Sequence, residues 1–339
     1  MDLSILDQVP VSIAGSARES LENAVSLAQL AEELGYRRIW FSEHHGANNL
    51  ASSAPEIIVA HVAAKTKTIH VGTGGIMMMH YSPLKIAETF LTLEVLHPGR
   101  IDLGLGRAPG GDRNAIFSLS QGKAPNLNNL YDKVEVIQDL LLGEQPQYEV
   151  YQHTPATPES ETVPAMWLLG SSGDSAMQAA TKGMGYSYAQ FFSGKLNPEA
   201  FEIYNTRFKP SRFMQQKKLS VAFYAMVCET KEEADYYSLP YLISRMNLMR
   251  GQPMGKMLTP EEAANRAFSE MDRLYLEKTR EGLLIGTPQS VAAELRAYGE
   301  KYQIDEAMIV TFADPQEVRQ KSYRLLAAEF ELQKAGSVS

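Results

Sequence analysis

Arg-Ile-Trp-Phe-Ser-Glu-His-His-Gly, residues 38–46, is the stretch on which the fold assignment rests. Its apolar residues 39–41 form a short run with aromatic character, which predicts a buried strand. The strand ends in the polar residues 43–45, Glu-His-His. In parallel α/β proteins the carboxyl ends of strands carry the functional groups. This stretch therefore predicts both a central strand and one wall of a site.

Strand patterns recur along the chain, and in its first half they are spaced about every 30 residues with a helical pattern after each. This spacing is typical of right-handed βαβ units and a parallel sheet. The predicted strands cover residues 3–6, 38–43, 70–78, 101–106, 165–170, 186–192, 219–227 and 307–312. No Gly-x-Gly-x-x-Gly follows the first strand, which disfavours a dinucleotide-binding fold. We therefore predict a single α/β domain over residues 1–339, a closed (β/α)8 TIM barrel.

Two segments interrupt this alternation and predict insertions after strands 4 and 7. Residues 108–130 are rich in Gly, Pro, Asn and Ser, and residues from about 230 to 286 hold two helical stretches, 231–250 and 260–281, without a strand pattern. Long connections rich in Gly and Pro are typical of loops that close over a site. Both insertions are therefore expected to cover the carboxyl end of the barrel.

The composition excludes several classes of protein. The chain has 32 Lys and Arg against 40 Asp and Glu, a formal charge of −8, without a dense basic tract, so a nucleic-acid or anionic-membrane surface is not expected. No segment approaches the roughly 20 apolar residues of a membrane helix. The single cysteine, Cys228, excludes an internal disulfide framework and a cysteine-based zinc cluster. A reducing compartment, the cytoplasm, is the expected location.

The histidine pair after the second strand allows more than one interpretation. Adjacent strand residues point in opposite directions, so only one of His44 and His45 easily faces the barrel mouth. A zinc site would need further ligands, for which Glu43, His80 and Asp102 are candidates, but no His-x-His or His-Glu-x-x-His spacing is present. The alternative is a purely structural role, in which one histidine caps the strand and the other forms hydrogen bonds that hold the loop.

Glu43 and Asp102 could also act as an acid/base pair for hydrolysis, since both lie on predicted barrel strands. Arg100 and Arg107 flank Asp102 in the sequence. Carboxylates inside a barrel are usually paired with arginine, which satisfies their charge. Ion pairing is therefore the interpretation that we favour for Asp102.

The ends of the fourth and fifth strands predict an anion site. Arg107 follows residues 104–106, Gly-Leu-Gly, where the backbone can approach a ligand closely, and its guanidinium suits phosphate. Ser171, Ser172 and Ser175 begin the next helix, whose free N–H groups attract anions. Each serine taken alone could instead be a simple helix cap. Together with Arg107 they predict a phosphate site.

Two further features have both a structural and a functional interpretation. Gly74 and Gly75 end the third strand, where consecutive glycines permit either an ordinary turn or the close approach of a flat ligand. The methionines at 77–79, with Phe191 and Phe192, could line an apolar pocket or fill the core. Core filling is the more common use of methionine.

Four motifs, taken in order, resemble the bacterial luciferase-like flavin monooxygenase family over nearly the whole chain. They are Ile-Trp-Phe-Ser-Glu-His-His at 39–45, Val-Gly-Thr-Gly-Gly at 71–75, Pro-Gly-Arg-Ile-Asp-Leu-Gly-Leu-Gly-Arg at 98–107 and Ile-Gly-Thr-Pro at 285–288. The resemblance implies a (β/α)8 barrel that binds FMN at the carboxyl ends of its strands. It also implies a homodimer that uses reduced FMN and O2 to oxidise a small organic substrate.

The same resemblance implies roles for individual residues. His44 corresponds to the family's catalytic histidine near the flavin ring. Gly74 and Gly75 occupy the place of a cis peptide bond beneath that ring. His45 is then expected to hold the loop in place. The implied ligands of the flavin phosphate are Arg107, Ser171, Ser172 and Ser175.

Two departures from the light-emitting members argue against light emission. Gly106 stands where they carry a reactive cysteine, and Gly110 stands where an aromatic residue is expected.

Because no nicotinamide fingerprint is visible, a separate flavin reductase is expected to supply the reduced FMN. The alternatives are a deazaflavin F420-dependent oxidoreductase of the same fold, a non-catalytic flavin-binding protein and a metal-dependent barrel hydrolase. No motif identifies the organic substrate.

Overall fold

The computed structural model of the protein describes residues 1–123, 130–252 and 255–333. Ten strands lie within these residues: β1 (Asp2–Asp7), β2 (Arg38–Phe41), β3 (His70–Thr73), β4 (Ile76–Met77), β5 (Ile101–Gly106), β6 (Ala165–Gly170), β7 (Gly185–Ala189), β8 (Leu219–Val227), β9 (Leu284–Gly286) and β10 (Glu306–Val310).

Fourteen α-helices lie within the same residues, together with a 3-10 turn at Met78–His80. They are α1 (Ala17–Leu34), α2 (Pro55–Ala63), α3 (Pro83–Leu96), α4 (Arg113–Leu119), α5 (Leu130–Leu142), α6 (Glu149–Gln152), α7 (Gly173–Thr181), α8 (Gln190–Ser193), α9 (Pro198–Arg207), α10 (Lys231–Met249), α11 (Pro260–Ala264), α12 (Glu270–Arg280), α13 (Pro288–Tyr302) and α14 (Gln316–Glu329). None of these helices has the length and apolar character needed to cross a bilayer.

Eight of the strands form a closed barrel of parallel strands. Neighbouring strands follow the order β10, β1, β2, β3, β5, β6, β7 and β8, and β8 pairs with β10 to complete the circle. The short strand β4 pairs with β5, and β9 pairs with the end of β8. The predicted (β/α)8 barrel is therefore confirmed.

Local sequence signals explain where the helices begin and end. The side chain of Ser16 accepts a hydrogen bond from the N–H of Glu19 at the start of α1, and Gly35 ends that helix with a φ of 86°. Serine is a favoured helix cap, and glycine adopts a positive φ at little cost. α3, α9 and α13 each have proline in their first turn, where its missing N–H is not needed.

Two tryptophans fill the interior of the barrel. Trp40 on β2 and Trp167 on β6 meet edge to face, with 5.1 Å between ring centroids. The indole N–H of Trp40 donates to Oδ2 of Asp102 over 2.9 Å. Their apolar neighbours are Leu6, Ala222, Met308 and Val310. Because these side chains fill the barrel, a ligand has room only at its ends.

Arg38 begins β2 and binds two buried carboxylates. Its Nη1 lies 2.6 Å from Oδ2 of Asp102, and its Nε lies 2.8 Å from Oε1 of Glu306. Burial alone would raise the pKa of Asp102, but the positive charge of Arg38, together with His70 and the hydrogen bond from Trp40, lowers that pKa below its ordinary value. Asp102 is thus ion-paired, as favoured from the sequence, but its partner is Arg38 rather than Arg100 or Arg107.

The connections after β5 and β8 contain additional helices. The first contains α4, and residues 124–129 of the segment predicted at 108–130 lie outside the described residues. The second contains α10, α11 and α12, so the stretch predicted at 260–281 is two helices. The prediction that residues 230–286 contain no strand was wrong at the end of the segment, where β9 pairs with residues 225–227. Three residues are too few to show a strand period.

Candidate active site

A cavity of about 100 Å³ lies at the carboxyl end of the barrel and opens to solvent. Its walls come from the loops after β1 and β2, from the short helix α8 after β7, and from α10. Residues that line it include His44, Asn49, Phe191, Tyr241, Arg245 and Phe312. The cavity therefore joins a histidine predicted from the sequence to side chains of the helical insertion.

His44 projects from the loop after β2. Its backbone N–H donates to the carbonyl oxygen of Ser52 over 2.8 Å, and its Nδ1 lies 3.1 Å from the hydroxyl oxygen of Ser42. Burial, with a smaller contribution from His45, lowers the pKa of His44 to about 4. The ring is therefore neutral at pH 7, and its Nε2 is the nitrogen that Ser42 leaves available.

His45 makes contacts that differ from those of His44. Its Nε2 lies 2.7 Å from Oε1 of Glu43, and its backbone N–H donates to the carbonyl oxygen of Gly110 over 2.7 Å. The buried carboxylate of Glu43 also accepts from the hydroxyl of Tyr81 and from the N–H of Met77. These contacts tie the loop after β2 to the segments that follow β3 and β5, which agrees with the expected structural role of His45.

The candidate metal ligands do not converge. Glu43 is bound by His45 and Asp102 by Arg38, while Nε2 of His80 lies 2.9 Å from the carbonyl oxygen of Pro109. Across residues 1–123, 130–252 and 255–333, no group of three or more His, Cys, Asp and Glu side chains is arranged to hold a metal ion. Glu43 and Asp102, which were considered as an acid/base pair for hydrolysis, have different partners, His45 and Tyr81 for Glu43 and Arg38 for Asp102.

Gly74 and Gly75 follow β3 beside the barrel interior. The peptide bond between them is cis, as the family resemblance implied. A Cβ atom on Gly74 would lie 2.6 Å from Cδ1 of Leu6, and one on Gly75 would lie 2.8 Å from the carbonyl oxygen of Gly104. Any larger residue would clash at either position. The backbone is consequently packed directly against the interior side chains.

Arg107 faces the first turn of α7 from the end of β5. Its Nη1 lies 3.4 Å from Oδ2 of Asp174, and both side chains are substantially exposed, by 40% and 58%. An exposed ion pair of this length is weak. The guanidinium therefore keeps donors for a ligand, beside a helix start whose N–H groups attract anions.

Ser172 and Ser175 form the cap of α7. The hydroxyl of Ser172 accepts from the N–H of Ser175, and the hydroxyl of Ser175 accepts from the N–H of Ser172. The buried Ser175 also contacts the hydroxyl of Tyr186 at 3.1 Å. Ser171, in contrast, is exposed. The structure thus brings Arg107 and all three serines to one helix start, with Ser172 and Ser175 hydrogen-bonded to each other.

Tyr131 was not identified from the sequence. The guanidinium of Arg107 lies over its ring, 4.7 Å from the centroid. The Tyr131 hydroxyl is buried and has no hydrogen-bond partner among the described residues. Burial and the nearby Asp174 carboxylate raise the pKa of this hydroxyl, so it stays protonated and can donate. The sequence holds no signal for this contact, because Tyr131 lies on α5, beyond a long connection.

The phenylalanines and the methionines that could line a pocket or fill the core have different positions in the structure. Phe191 and Phe192 line the cavity. Met78 is fully buried and Met77 is nearly so, and Met78 belongs to the main core. The methionines therefore fill the core, and the phenylalanines form the apolar wall.

The insertion supplies site residues that sequence reasoning also missed. Tyr241 stacks on Tyr224 at a centroid distance of 3.9 Å and on Phe312 at 5.2 Å. Arg245 lies one turn further along α10 and lines the same cavity. The four-residue spacing of Tyr241 and Arg245 places them on one helix face, which is the only sequence signal that could have found them.

Comparison with known proteins gives a consistent assignment. A family model described as luciferase-like monooxygenase matches residues 1–302. The chain is 38% identical to the Bacillus subtilis protein YwcH over 97% of this chain and 99% of that protein. It is 32% identical to the N-acetyl-S-alkylcysteine monooxygenase of the same bacterium, over 96% and 97% of the two chains.

Solved structures share the same barrel. The structure of apo-MsnO8 aligns with a TM-score of 0.85 at 30% identity and covers 98% of both chains. The oxygenating constituent of 3,6-diketocamphane monooxygenase from Pseudomonas putida, in complex with FMN, aligns with a TM-score of 0.70 at 18% identity over 97% of both chains. An F420-dependent secondary alcohol dehydrogenase also aligns at 0.70, with 15% identity over 98% of this chain and 99% of that one. The last two likenesses concern the fold alone. With the family model covering most of its length, the chain belongs to the luciferase-like monooxygenase family.

Proposed function

We propose that the protein is a flavin-dependent monooxygenase that uses reduced FMN and O2 to oxidise a small organic substrate. The observation that carries this proposal is the presence of two features at the same end of the barrel. One is the arrangement of Arg107 at the first turn of α7, and the other is the cavity lined by His44. Membership of the luciferase-like monooxygenase family supports the same activity.

The residues around Arg107 suit the phosphate of FMN. Arg107, the hydroxyl of Ser171 and the N–H groups at the start of α7 would bind the phosphate oxygens, and Ser172 with Ser175 would hold that turn in place. Tyr131 adds a buried hydroxyl without a partner among the described residues. An unpartnered buried hydroxyl is costly, and a phosphate oxygen would satisfy it.

The residues at the barrel mouth suit the flavin ring and a substrate. Gly74 and Gly75 would lie beneath the ring, on backbone that packs against Leu6 and Gly104. Bound FMN, in its reduced form, supplies the electrons needed to activate O2. His44 would accept or donate a proton at Nε2, as a neutral imidazole can do at pH 7. The aromatic walls, including Phe191 and Tyr241, would exclude water.

The proposal includes the partners expected from the sequence. A separate flavin reductase would supply reduced FMN, because the sequence shows no nicotinamide fingerprint. The protein would act in the cytoplasm as a homodimer, and its single, buried cysteine suits a reducing compartment. The insertion that carries α10 would close over the cavity, which it already borders.

A second candidate is an F420-dependent oxidoreductase, because one protein with this barrel is named as F420-dependent. Titration of the purified protein with FMN and with F420 separates the two, and we expect tighter binding of FMN. Chemically reduced FMN and labelled O2 then test oxygenation, with the label measured in the product. Tighter binding of F420 would contradict the cofactor assignment.

The role of His44 separates catalysis from mere flavin binding. His44→Ala is expected to keep the affinity for FMN and to lower the rate of product formation. If the wild-type protein binds FMN and incorporates no label into any compound of a broad panel, the non-catalytic flavin-binding alternative is favoured instead.

A further inference from the structure

Arg245 projects from α10 into the cavity that contains His44. Its Nη2 donates to the carbonyl oxygen of Phe192 over 2.6 Å. Its Nε is buried and makes no hydrogen bond within residues 1–123, 130–252 and 255–333. Nor does any carboxylate among these residues form an ion pair with it. Arg245 therefore presents a positive charge that the described part of the chain leaves without a counter-charge.

The rest of the cavity wall carries no formal charge. His44 is neutral at pH 7, because burial lowers its pKa to about 4. The apolar part of the wall includes Leu50, Phe191, Tyr241, Leu248, Met257 and Phe312. Among the described lining residues, Arg245 is consequently the only cation, and no acidic side chain stands with it. A charge beside an apolar wall attracts an oppositely charged group more strongly than a charge surrounded by water does.

Asn49 adds a second polar position to the same wall. One end of its side-chain amide, Oδ1, is buried without a hydrogen-bond partner among the described residues. Buried polar atoms are normally hydrogen-bonded, so an unpartnered one on a cavity wall marks a place where a ligand can bind. Because Oδ1 accepts hydrogen bonds, it would be satisfied by a hydroxyl or N–H on the apolar part of the ligand and not by an anionic group.

We propose that this cavity binds a small organic monoanion, a carboxylate, whose charge pairs with Arg245 and whose apolar part lies against the aromatic wall. A planar guanidinium matches a carboxylate geometrically and can donate to both of its oxygens. A single arginine balances one negative charge, which favours a carboxylate over a phosphate dianion. The inference names the substrate class of the proposed monooxygenase and so rests on the proposed function.

Arg245 also has a purely structural interpretation, since its bond to Phe192 links α10 to α8. A structural role affects the stability of the protein. It does not make the cavity prefer a carboxylate over a neutral molecule of the same shape. Selectivity between matched ligands is therefore the decisive measurement.

Isothermal titration calorimetry with hexanoate, hexanamide, hexane-1-sulfonate and hexyl phosphate tests the proposal, with and without FMN. We expect the wild-type protein to bind hexanoate about 10- to 100-fold more tightly than hexanamide, as expected for a hydrogen bond to a charged group. Arg245→Gln should abolish this preference, and Arg245→Lys should retain part of it. Arg273→Gln, which changes an exposed arginine on α12 of the same insertion, should leave it unchanged.

Several results would overturn the inference. These are equal binding of hexanoate and hexanamide, an unchanged preference in Arg245→Gln, stronger binding of hexyl phosphate or hexane-1-sulfonate than of hexanoate, or no binding of any compound. If Arg245→Gln does not fold, the wild-type selectivity and Arg245→Lys still decide the matter. Titration with FMN separates the two proposals. A protein that prefers hexanoate over hexanamide but does not bind FMN refutes the proposed function. A protein that binds FMN but does not prefer hexanoate refutes only the inference about the substrate.

Discussion

Arg38 and Asp102 form an ion pair that is sealed inside the barrel, with 2.6 Å between Nη1 and Oδ2. The same guanidinium pairs with Glu306 through Nε at 2.8 Å. Removing it would leave two carboxylates buried without a counter-charge, which typically costs about 3 to 5 kcal/mol. We expect Arg38→Met to lower the free energy of unfolding by at least about 3 kcal/mol, measured by urea denaturation.

Arg18→Met is the matched control for this prediction. Arg18 and Glu22 lie 3.7 Å apart on α1, and their side chains are 87% and 69% exposed. Exposed pairs of this kind contribute about 0 to 1 kcal/mol. Comparable losses of unfolding free energy in the two variants would show that the buried Arg38 ion pair contributes no more to stability than an exposed one.

His44 is expected to make the protein less stable in acid. Burial lowers its pKa to about 4, well below the ordinary value of 6.5, so the unfolded chain binds a proton in a range where the folded protein does not. Stability is therefore full above about pH 6.5 and is lost as the pH falls toward 4, by about 2 to 3 kcal/mol at most. His44→Gln should reduce the difference in unfolding free energy between pH 7.5 and pH 4.5, values chosen to bracket this range.

The control for the acid prediction is His61→Gln, because His61 is exposed on α2. This variant should keep the pH dependence of the wild-type protein. A His44→Gln variant with the same acid sensitivity as wild type would mean that folding does not lower the pKa of His44.

The barrel could be predicted from the sequence because each long strand is a short apolar run followed by a helical pattern. Strand β8 is buried at all nine positions and was predicted with the same bounds, 219–227. Strand β9 has only three residues, so no periodicity could reveal it. The same reasoning merged α11 and α12, since the break between them, residues 265–269, contains no glycine or proline to mark a helix stop.

The site could be predicted only in part, because contacts between residues distant in the chain leave no spacing to recognise. His44 and Arg107 stood out by residue type and position at strand ends. Arg38, in contrast, lies 64 residues before Asp102, and the flanking arginines were the more obvious partners. Which face of α10 turns toward the cavity depends on how the insertion packs, so Arg245 could not be assigned.

Ser171 and Ser172 are expected to respond oppositely to substitution. Ser172 caps α7, and loss of a cap costs about 1 kcal/mol, so Ser172→Ala should lower the unfolding free energy by that amount. Ser171 is exposed and makes no hydrogen bond through its side chain among the described residues, so Ser171→Ala should leave stability unchanged and weaken FMN binding about 3- to 10-fold. Denaturation and FMN titration of both variants check this. The reverse pattern would assign the cap to Ser171 and the ligand to Ser172.

Tyr131 gives the sharpest test of the phosphate site, because its buried hydroxyl makes no hydrogen bond within the described part of the chain and has only the Asp174 carboxylate as a charged acceptor nearby. Tyr131→Phe keeps the ring beneath the Arg107 guanidinium and removes only the buried hydroxyl. We expect unchanged or slightly higher stability and an FMN affinity lowered about 3- to 10-fold. Tyr148→Phe is the control, since the Tyr148 hydroxyl donates to Oδ2 of Asp132 in an exposed hydrogen bond. If Tyr131→Phe binds FMN as tightly as the wild-type protein, the hydroxyl does not contact the phosphate, and the Tyr131 ring serves only to position Arg107.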